Sequence, residues 1–202
     1  MQLIAIRHAL PLRSEPGHGA DPALSEIGVE QAARLPEALD RFRIARVVSS
    51  PQRRAVQTAE PVAAARGLPI EIDERLAEYD RGMAEYLPVE QLRTERPEAW
   101  ARMVAGQLPA GVDEQAFRER IRAAVGELVA ATDPADTVAI FSHGGVINVL
   151  LHELLGTRAL LAFTIDYASL TRVLYSRRGT VRVAAVNSAD HVWDLLPSRV
   201  RD

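Results

Sequence analysis

The chain contains neither cysteine nor lysine. Without thiols it forms no disulfide and runs no thiolate chemistry, and its redox compartment is left open. Without lysine, all 24 of its basic side chains are arginines. Beside so many alanines this reads as a composition bias, which lowers what any single arginine signifies. No apolar run approaches the ~20 residues needed to cross a bilayer. No charged leader precedes an apolar signal segment, so no membrane association and a cytoplasmic location are expected. The net charge of −3 gives no support for nucleic-acid or membrane-surface binding. Gly-x-Ser-x-Gly is absent, which removes the usual serine hydrolase. Ser142-His143-Gly144-Gly145 is not the Gly-x-Gly-x-x-Gly of a dinucleotide loop. Internal repeats, low-complexity tracts and linkers are absent as well.

What is present suits one α/β domain over residues 1–202, since a chain of 202 residues buries one sizeable core more readily than two. Two histidines each stand at the end of a short apolar strand. One is Leu3-Ile4-Ala5-Ile6-Arg7-His8, the other Val138-Ala139-Ile140-Phe141-Ser142-His143. A continuous apolar run ended by a polar residue is how a buried parallel strand reads. Open α/β sheets bind their ligands outside the carboxyl ends of such strands.

Strand and helix signals alternate along the rest of the chain. A polar Pro/Gly-rich loop, Pro11 to Pro22, follows the first strand. Ser25 is expected to cap a helix running to about Asp40. Arg46 to Ser49 reads as a strand, and Pro51 as the first position of a helix that Ser50 can cap and that ends at Gly67. Pro69 to Ile72 reads as a third strand. Residues 83–111, broken by Pro88, Pro97, Gly106, Pro109 and Gly111, read as an insertion over the active site. A long helix, Asp113 to about Ala131, precedes the second histidine strand, and a helix from Gly145 to Leu155 follows it. Leu170–Tyr175 and Val181–Val186 read as a closing hairpin.

The stretch Ser49-Ser50-Pro51-Gln52-Arg53-Arg54-Ala55 puts an arginine in the first turn of a helix, where free N–H groups and the helix dipole favour an anion. Arg7, beside His8, can serve the same anion. Two arginines, a helix N-terminus and two histidines describe a phosphate site, because a guanidinium fork matches phosphate oxygens bidentately. Arg53 reads as a solvated surface residue. Either histidine alone would as readily be a strand-end residue holding a backbone carbonyl. A metal site is not expected, since His18, His152 and His191 stand at no ligand spacing from these two.

Taken together, these segments resemble the histidine phosphatase superfamily, the phosphoglycerate-mutase-like phosphatases and mutases. The resemblance rests on Arg7-His8, Leu24 to Gly28, Ser49 to Ala59, Glu78 four residues before Gly82, and Ser142 to Gly145. It implies a three-layer α/β sandwich with a mostly parallel central sheet flanked by helices. It also implies a phosphohistidine intermediate on His8, with Arg7, Arg54, His143 and Gly144 forming the phosphate pocket and Glu78 as proton donor. The expected activity is a phosphomonoesterase acting on a small phosphorylated substrate without a cofactor, its oligomeric state left open.

The alternatives are a cofactor-dependent phosphoglycerate mutase and a non-catalytic phospho-ligand-binding member. Mutases of this family carry a longer insertion before the second histidine, and the short interval here favours the phosphatase. One position departs from the family pattern: Ala9 stands where the family has Gly, which is a concern if that backbone needs a positive φ. Tyr86, Leu87, Trp100 and Met103 could wall a leaving group or simply anchor the insertion. Arg13, Arg93, Arg96 and Arg102 could hold a second anion, although the composition weakens each.

Overall fold

The computed structural model describes residues 1–14 and 19–197. His18 lies outside the described residues. A six-stranded sheet in the order β3-β2-β4-β1-β5-β6 runs through the molecule. Its strands are β1 (Gln2–Arg7), β2 (Ile44–Ser49), β3 (Ile70–Ile72), β4 (Thr137–Ser142), β5 (Leu170–Tyr175) and β6 (Val181–Ser188). The first four are parallel to one another, and β5 and β6 are antiparallel additions at the β1 edge.

The two histidine strands are therefore neighbours, in register from Gln2 beside Thr137 to Arg7 beside Ser142. Every residue of β4 is buried, as are the middle four of β1. A strand covered on both faces has no place for a polar alternation, which explains the unbroken apolar runs. Leu3, Ala5, Val138 and Ile140 pack on one face, with Phe117, Ile121, Ile147 and Leu151. Those partners belong to α6 (Glu114–Ala130) and α7 (Gly144–Leu155). Ile4, Ile6, Ala139 and Phe141 pack on the other face, with Ala32, Leu35, Ala59 and Val62. These lie on α1 (Glu26–Ala33), α2 (Leu35–Ala38) and α3 (Arg53–Arg66). The expected three-layer α/β architecture is the one observed.

Three local expectations are corrected. The helix capped by Ser25 does not run to Asp40; it breaks at Arg34, with Pro36 opening the next short helix. Proline has no N–H to continue the ladder. Pro51 is not the first helical residue either. The chain stays extended through Gln52, the N-cap of α3. Nor does Ser50 cap that helix, and its hydroxyl turns to His143 instead.

Residues 83–111 form α4 (Val89–Glu95) and α5 (Pro97–Val104) between irregular pieces. No residue of α5 is buried. Tyr86, Pro88 and Leu108 anchor the segment, and Trp100 and Met103 are only half-buried.

Candidate active site

Each parallel strand delivers a polar group at its carboxyl end. His8 follows β1, Ser50 follows β2, and His143 follows β4. After β3 a short 3₁₀ turn, Glu74–Leu76, leads directly to Glu78. These groups and Arg54 are almost entirely enclosed: relative exposure is 3% for His8, 7% for Glu78, and zero for Arg54 and His143. The His8 and His143 rings lie 5.2 Å apart, tilted by 55°.

The tautomer of His8 follows from one contact. Its Nδ1 lies 2.8 Å from the Ala9 carbonyl oxygen, which can only accept, so Nδ1 carries the proton. The Nε2 lone pair is then available. Burial holds the imidazole well below its ordinary pKa, and the positive charges of Arg54 and then Arg7 push it the same way, against a smaller pull from the Ala9 carbonyl. His8 is neutral at physiological pH. His143 is depressed likewise, first by burial and then by Arg54. Its Nε2 pairs with Ser50 Oγ at 2.7 Å, and its Nδ1 is buried without a hydrogen-bond partner among the described residues.

Arg54 is wholly buried, not the surface residue its helix position alone would suggest. Its Nη2 lies 2.9 and 2.8 Å from the two carboxylate oxygens of Asp80, and its Nη1 donates to the Ala20 carbonyl. A buried guanidinium demands a counter-charge, because the desolvation of a lone ion costs several kcal/mol. Asp80 supplies it. Arg53 points outward, and its backbone N–H, one of the first-turn donors expected to face an anion, is taken by Asp21 at 2.7 Å. Arg7 donates to the Ile165 carbonyl, and its guanidinium lies 3.8 Å above the Tyr167 ring.

Glu78 accepts from the backbone N–H of Gly145 at 2.8 Å and of its neighbour Tyr79 at 3.2 Å. Those bonds favour the ionised form, yet burial first and the Asp80 charge second win, and its pKa is pushed up to about 7. Gly145 has to be glycine for this contact, since a Cβ there would strike the Glu78 carboxylate. A Cβ on Gly144, by contrast, would meet only the Arg7 side chain, at ordinary van der Waals distance.

Gln52 joins these parts. Its carbonyl oxygen accepts from the Glu78 N–H at 2.6 Å and its amide donates to Asp80 at 2.8 Å. Thr58 does the same for the nucleophile side, accepting from Ala9 N–H at 2.9 Å and donating to the Arg54 carbonyl at 2.6 Å. Both residues sit inside the Ser49–Ala59 motif, but the sequence reading gave neither a role. Asp80 was legible only as a carboxylate close to Glu78. Tyr167 carried no sequence signal at all, being three residues ahead of β5.

Ala9 does not require the conformation that raised concern. Among the described residues, the positive-φ residues other than glycine are Ala168 and Asn187. Ala9 is fully buried and packs in the core beneath the α1–α3 layer. Of the arginines considered for a second anion, Arg13 is engaged by Glu95, Arg96 by Glu85 and Arg102 by the Leu108 carbonyl. Among the described residues, no group of three or more His, Cys, Asp or Glu side chains could hold a metal ion. No helix among them is long and apolar enough to cross a membrane.

An α/β fold presenting two histidines, two arginines and a raised-pKa glutamate at one sheet end defines a class of phosphoryl-handling proteins. The particular family is shown by comparison: residues 3–188 match the model of the histidine phosphatase superfamily (branch 1), and the chain belongs to that superfamily. It is similar to the mycobacterial glucosyl-3-phosphoglycerate phosphatase solved with VO3, at TM-score 0.76 and 29% identity over 93% of this chain and 98% of that one. It is also similar to the alpha-ribazole phosphatase of Shigella flexneri, at TM-score 0.73 and 27% identity over 94% and 97%. A curated relative, the probable phosphoglycerate mutase GpmB of Salmonella arizonae, is 31% identical over 69% of this chain. That match spans 66% of the relative's own length.

Proposed function

We propose that the chain is a phosphomonoesterase that hydrolyses a small phosphorylated substrate through a phosphohistidine on His8. The observation that carries this reading is the His8 Nδ1 contact with the Ala9 carbonyl, which leaves a neutral imidazole with its Nε2 lone pair free. Family membership and phosphatase neighbours support it.

A phosphate ester repels nucleophiles until its charge is met. Arg7 and Arg54 hold the non-bridging oxygens as charge develops on them, which is where preorganised donors lower a barrier most. The Arg54–Asp80 pair fixes the guanidinium in place before substrate arrives. His143, with Ser50 donating to its Nε2, turns its Nδ1–H to a phosphoryl oxygen. His8 Nε2 attacks phosphorus, the ester P–O bond breaks, and the departing oxygen takes the proton of Glu78. Water then attacks the phosphohistidine and gives its proton to the Glu78 carboxylate. The P–N bond breaks, releasing phosphate and restoring neutral His8.

Brief incubation with labelled substrate and alkaline denaturation tests the reading. We expect a base-stable, acid-labile phosphoryl group that is absent from His8→Ala. Label surviving in that variant overturns the assignment. A phosphoglycerate mutase is the second reading, favoured by the names of the curated relatives. It requires exchange of phosphoryl groups between 2,3-bisphosphoglycerate and 3-phosphoglycerate faster than their hydrolysis.

A further inference from the structure

The groups that would meet the phosphoryl group are covered. With His8, Arg54, Glu78 and His143 each under a tenth exposed, a phosphomonoester reaches them only if something moves. Among the described residues, two tyrosines cover the two arginines. Tyr167 lies under the Arg7 guanidinium at 3.8 Å and 5.7 Å from the His8 ring. Tyr86 lies 4.7 Å from the Arg54 guanidinium. The Tyr86 hydroxyl faces the Tyr167 side chain, which opposes the upward pull of burial on its pKa. The chain of contacts Arg7, Tyr167, Tyr86, Arg54 thus closes one side of the phosphate site, and each aromatic face also steadies the cation it meets.

The two halves of this cover are built differently. Tyr167 is locked: the next residue, Ala168, donates its N–H to the Arg7 and His8 carbonyls. Asp166 and Asn187 exchange two hydrogen bonds, Asp166 N–H to Asn187 Oδ1 at 2.6 Å and Asn187 Nδ2 to Asp166 Oδ2 at 2.9 Å. Ala168 and Asn187 both hold left-handed backbone, with φ of 55° and 56°. Such strain persists only where the surroundings over-determine it. Tyr86 stands on irregular chain that is held as well: its N–H donates to Ser14 Oγ, its carbonyl accepts from Ser14 N–H, and the Met83 and Ala84 carbonyls accept from Ala20 and Gly19 N–H. Its backbone is anchored, but its ring meets one cation rather than lying between Arg7 and His8, so the ring is the part that can turn. Beyond Tyr86, α4 and α5 are held largely by exposed ion pairs such as Arg13–Glu95.

We propose that Tyr86 and Tyr167 are the specificity-determining pair of this site, with the Tyr167 ring fixed and the Tyr86 ring the part that moves. A phosphomonoester reaches His8 when the Tyr86 ring turns aside on its held backbone. Because Tyr167 stays, the gap admits a slender leaving group better than a broad fused one. The turnover part of this proposal rests on the phosphatase reading; the covering part does not.

Diethyl pyrocarbonate labelling of histidines, read by peptide mass spectrometry, tests the cover without any turnover. In the native chain His8 should label far more slowly than the less buried His152. Tyr86→Ala should raise His8 labelling at least tenfold and leave His152 unchanged. Tyr86→Phe and Tyr167→Phe, which keep both rings and remove the link between them, should each give a smaller, equal acceleration. They keep the test open should the alanine variant fail to fold. Unchanged His8 labelling in all of them overturns the proposal. In the second arm, Tyr86→Ala should raise the kcat/KM ratio of 1-naphthyl phosphate to phenyl phosphate at least tenfold. Faster labelling with an unchanged ratio overturns the specificity role. Faster labelling with no hydrolysis of either ester by any of the proteins upholds the cover and overturns the phosphatase reading.

Discussion

The carboxyl ends of the parallel strands and the 83–111 segment differ in how they are held. At the strand ends, charged and polar groups are buried and matched one to one: Arg54 to Asp80, Gln52 to Glu78 and Asp80, Thr58 to Ala9 and Arg54. In the 83–111 segment the charges are on the surface, with Arg13–Glu95 and Arg96–Glu85 both largely exposed. Buried networks in a low-dielectric interior are strong when every member is satisfied and costly when one is removed. Exposed pairs contribute about 0–1 kcal/mol each. The strand ends are therefore suited to hold a fixed constellation, and the inserted segment to change position or sequence at little cost.

Arg54→Ala should break the first region hardest. It removes a preorganised contact worth about 3 kcal/mol of transition-state stabilisation. It also leaves Asp80 buried without its counter-charge, which costs about 3–5 kcal/mol of folding stability. Arg53→Ala, one position away and exposed, should change little in kcat/KM or in the denaturation midpoint. Equal losses for the two would mean that the buried pair is not what organises the site.

Glu78→Gln sharpens the comparison by pH. The native Glu78 pKa of about 7 lies above its ordinary carboxylate value of 4.5, so the folded chain holds this proton more tightly than the unfolded one. Its contribution to stability is then full below about 4.5 and is lost as pH rises towards 7. His8 and His143 act oppositely: both are depressed below 6.5, so their contribution is lost as pH falls below that value. The melting temperature of Glu78→Gln relative to native should therefore rise between pH 4.5 and 7. A flat difference would contradict the raised pKa. In turnover, the variant should lose about 10²–10⁴-fold on alkyl phosphates, whose leaving groups need a proton. The nitrophenyl phosphate burst should be nearly unaffected, and equal loss on both would assign Glu78 a structural role.

Ala9→Gly should leave kcat/KM within a few-fold, because the native backbone there is not left-handed and the methyl group packs in the core. A large gain in kcat/KM would mean that the methyl obstructs phosphate. Arg13→Ala should have the smallest effect, under about 1 kcal/mol in chemical denaturation, as for other exposed ion pairs. A loss comparable to that of Arg54→Ala would erase the distinction between the two regions.

How far the sequence could be read depended on whether the information was local. The two apolar runs ending in His8 and His143 announced buried strands, since a strand covered on both faces has one composition. Arg54 could be separated from Arg53 only through the resemblance to the family, because both are first-turn arginines in a lysine-free chain. The expected helix boundaries fail at Arg34, where the helix from Ser25 is carried straight through Pro36, and at Gln52, where Pro51 is taken as the first helical residue although Gln52 is still extended.

By itself, then, the sequence determined the alternation of strands and helices and the two histidines at strand ends, while Glu78 was singled out only by the resemblance to the family. Strands, helices and strand ends follow from hydrophobic period and chain order, which are written one residue at a time. Tertiary structure alone decided that His8 is the Nδ1–H tautomer, that Asp80 faces Arg54, and that Tyr86 meets Tyr167. Each depends on groups brought together from distant segments, or on how one side chain turns towards its own backbone. Only the packed sheet, by excluding water, turns those meetings into shifted pKa values and obligatory partners.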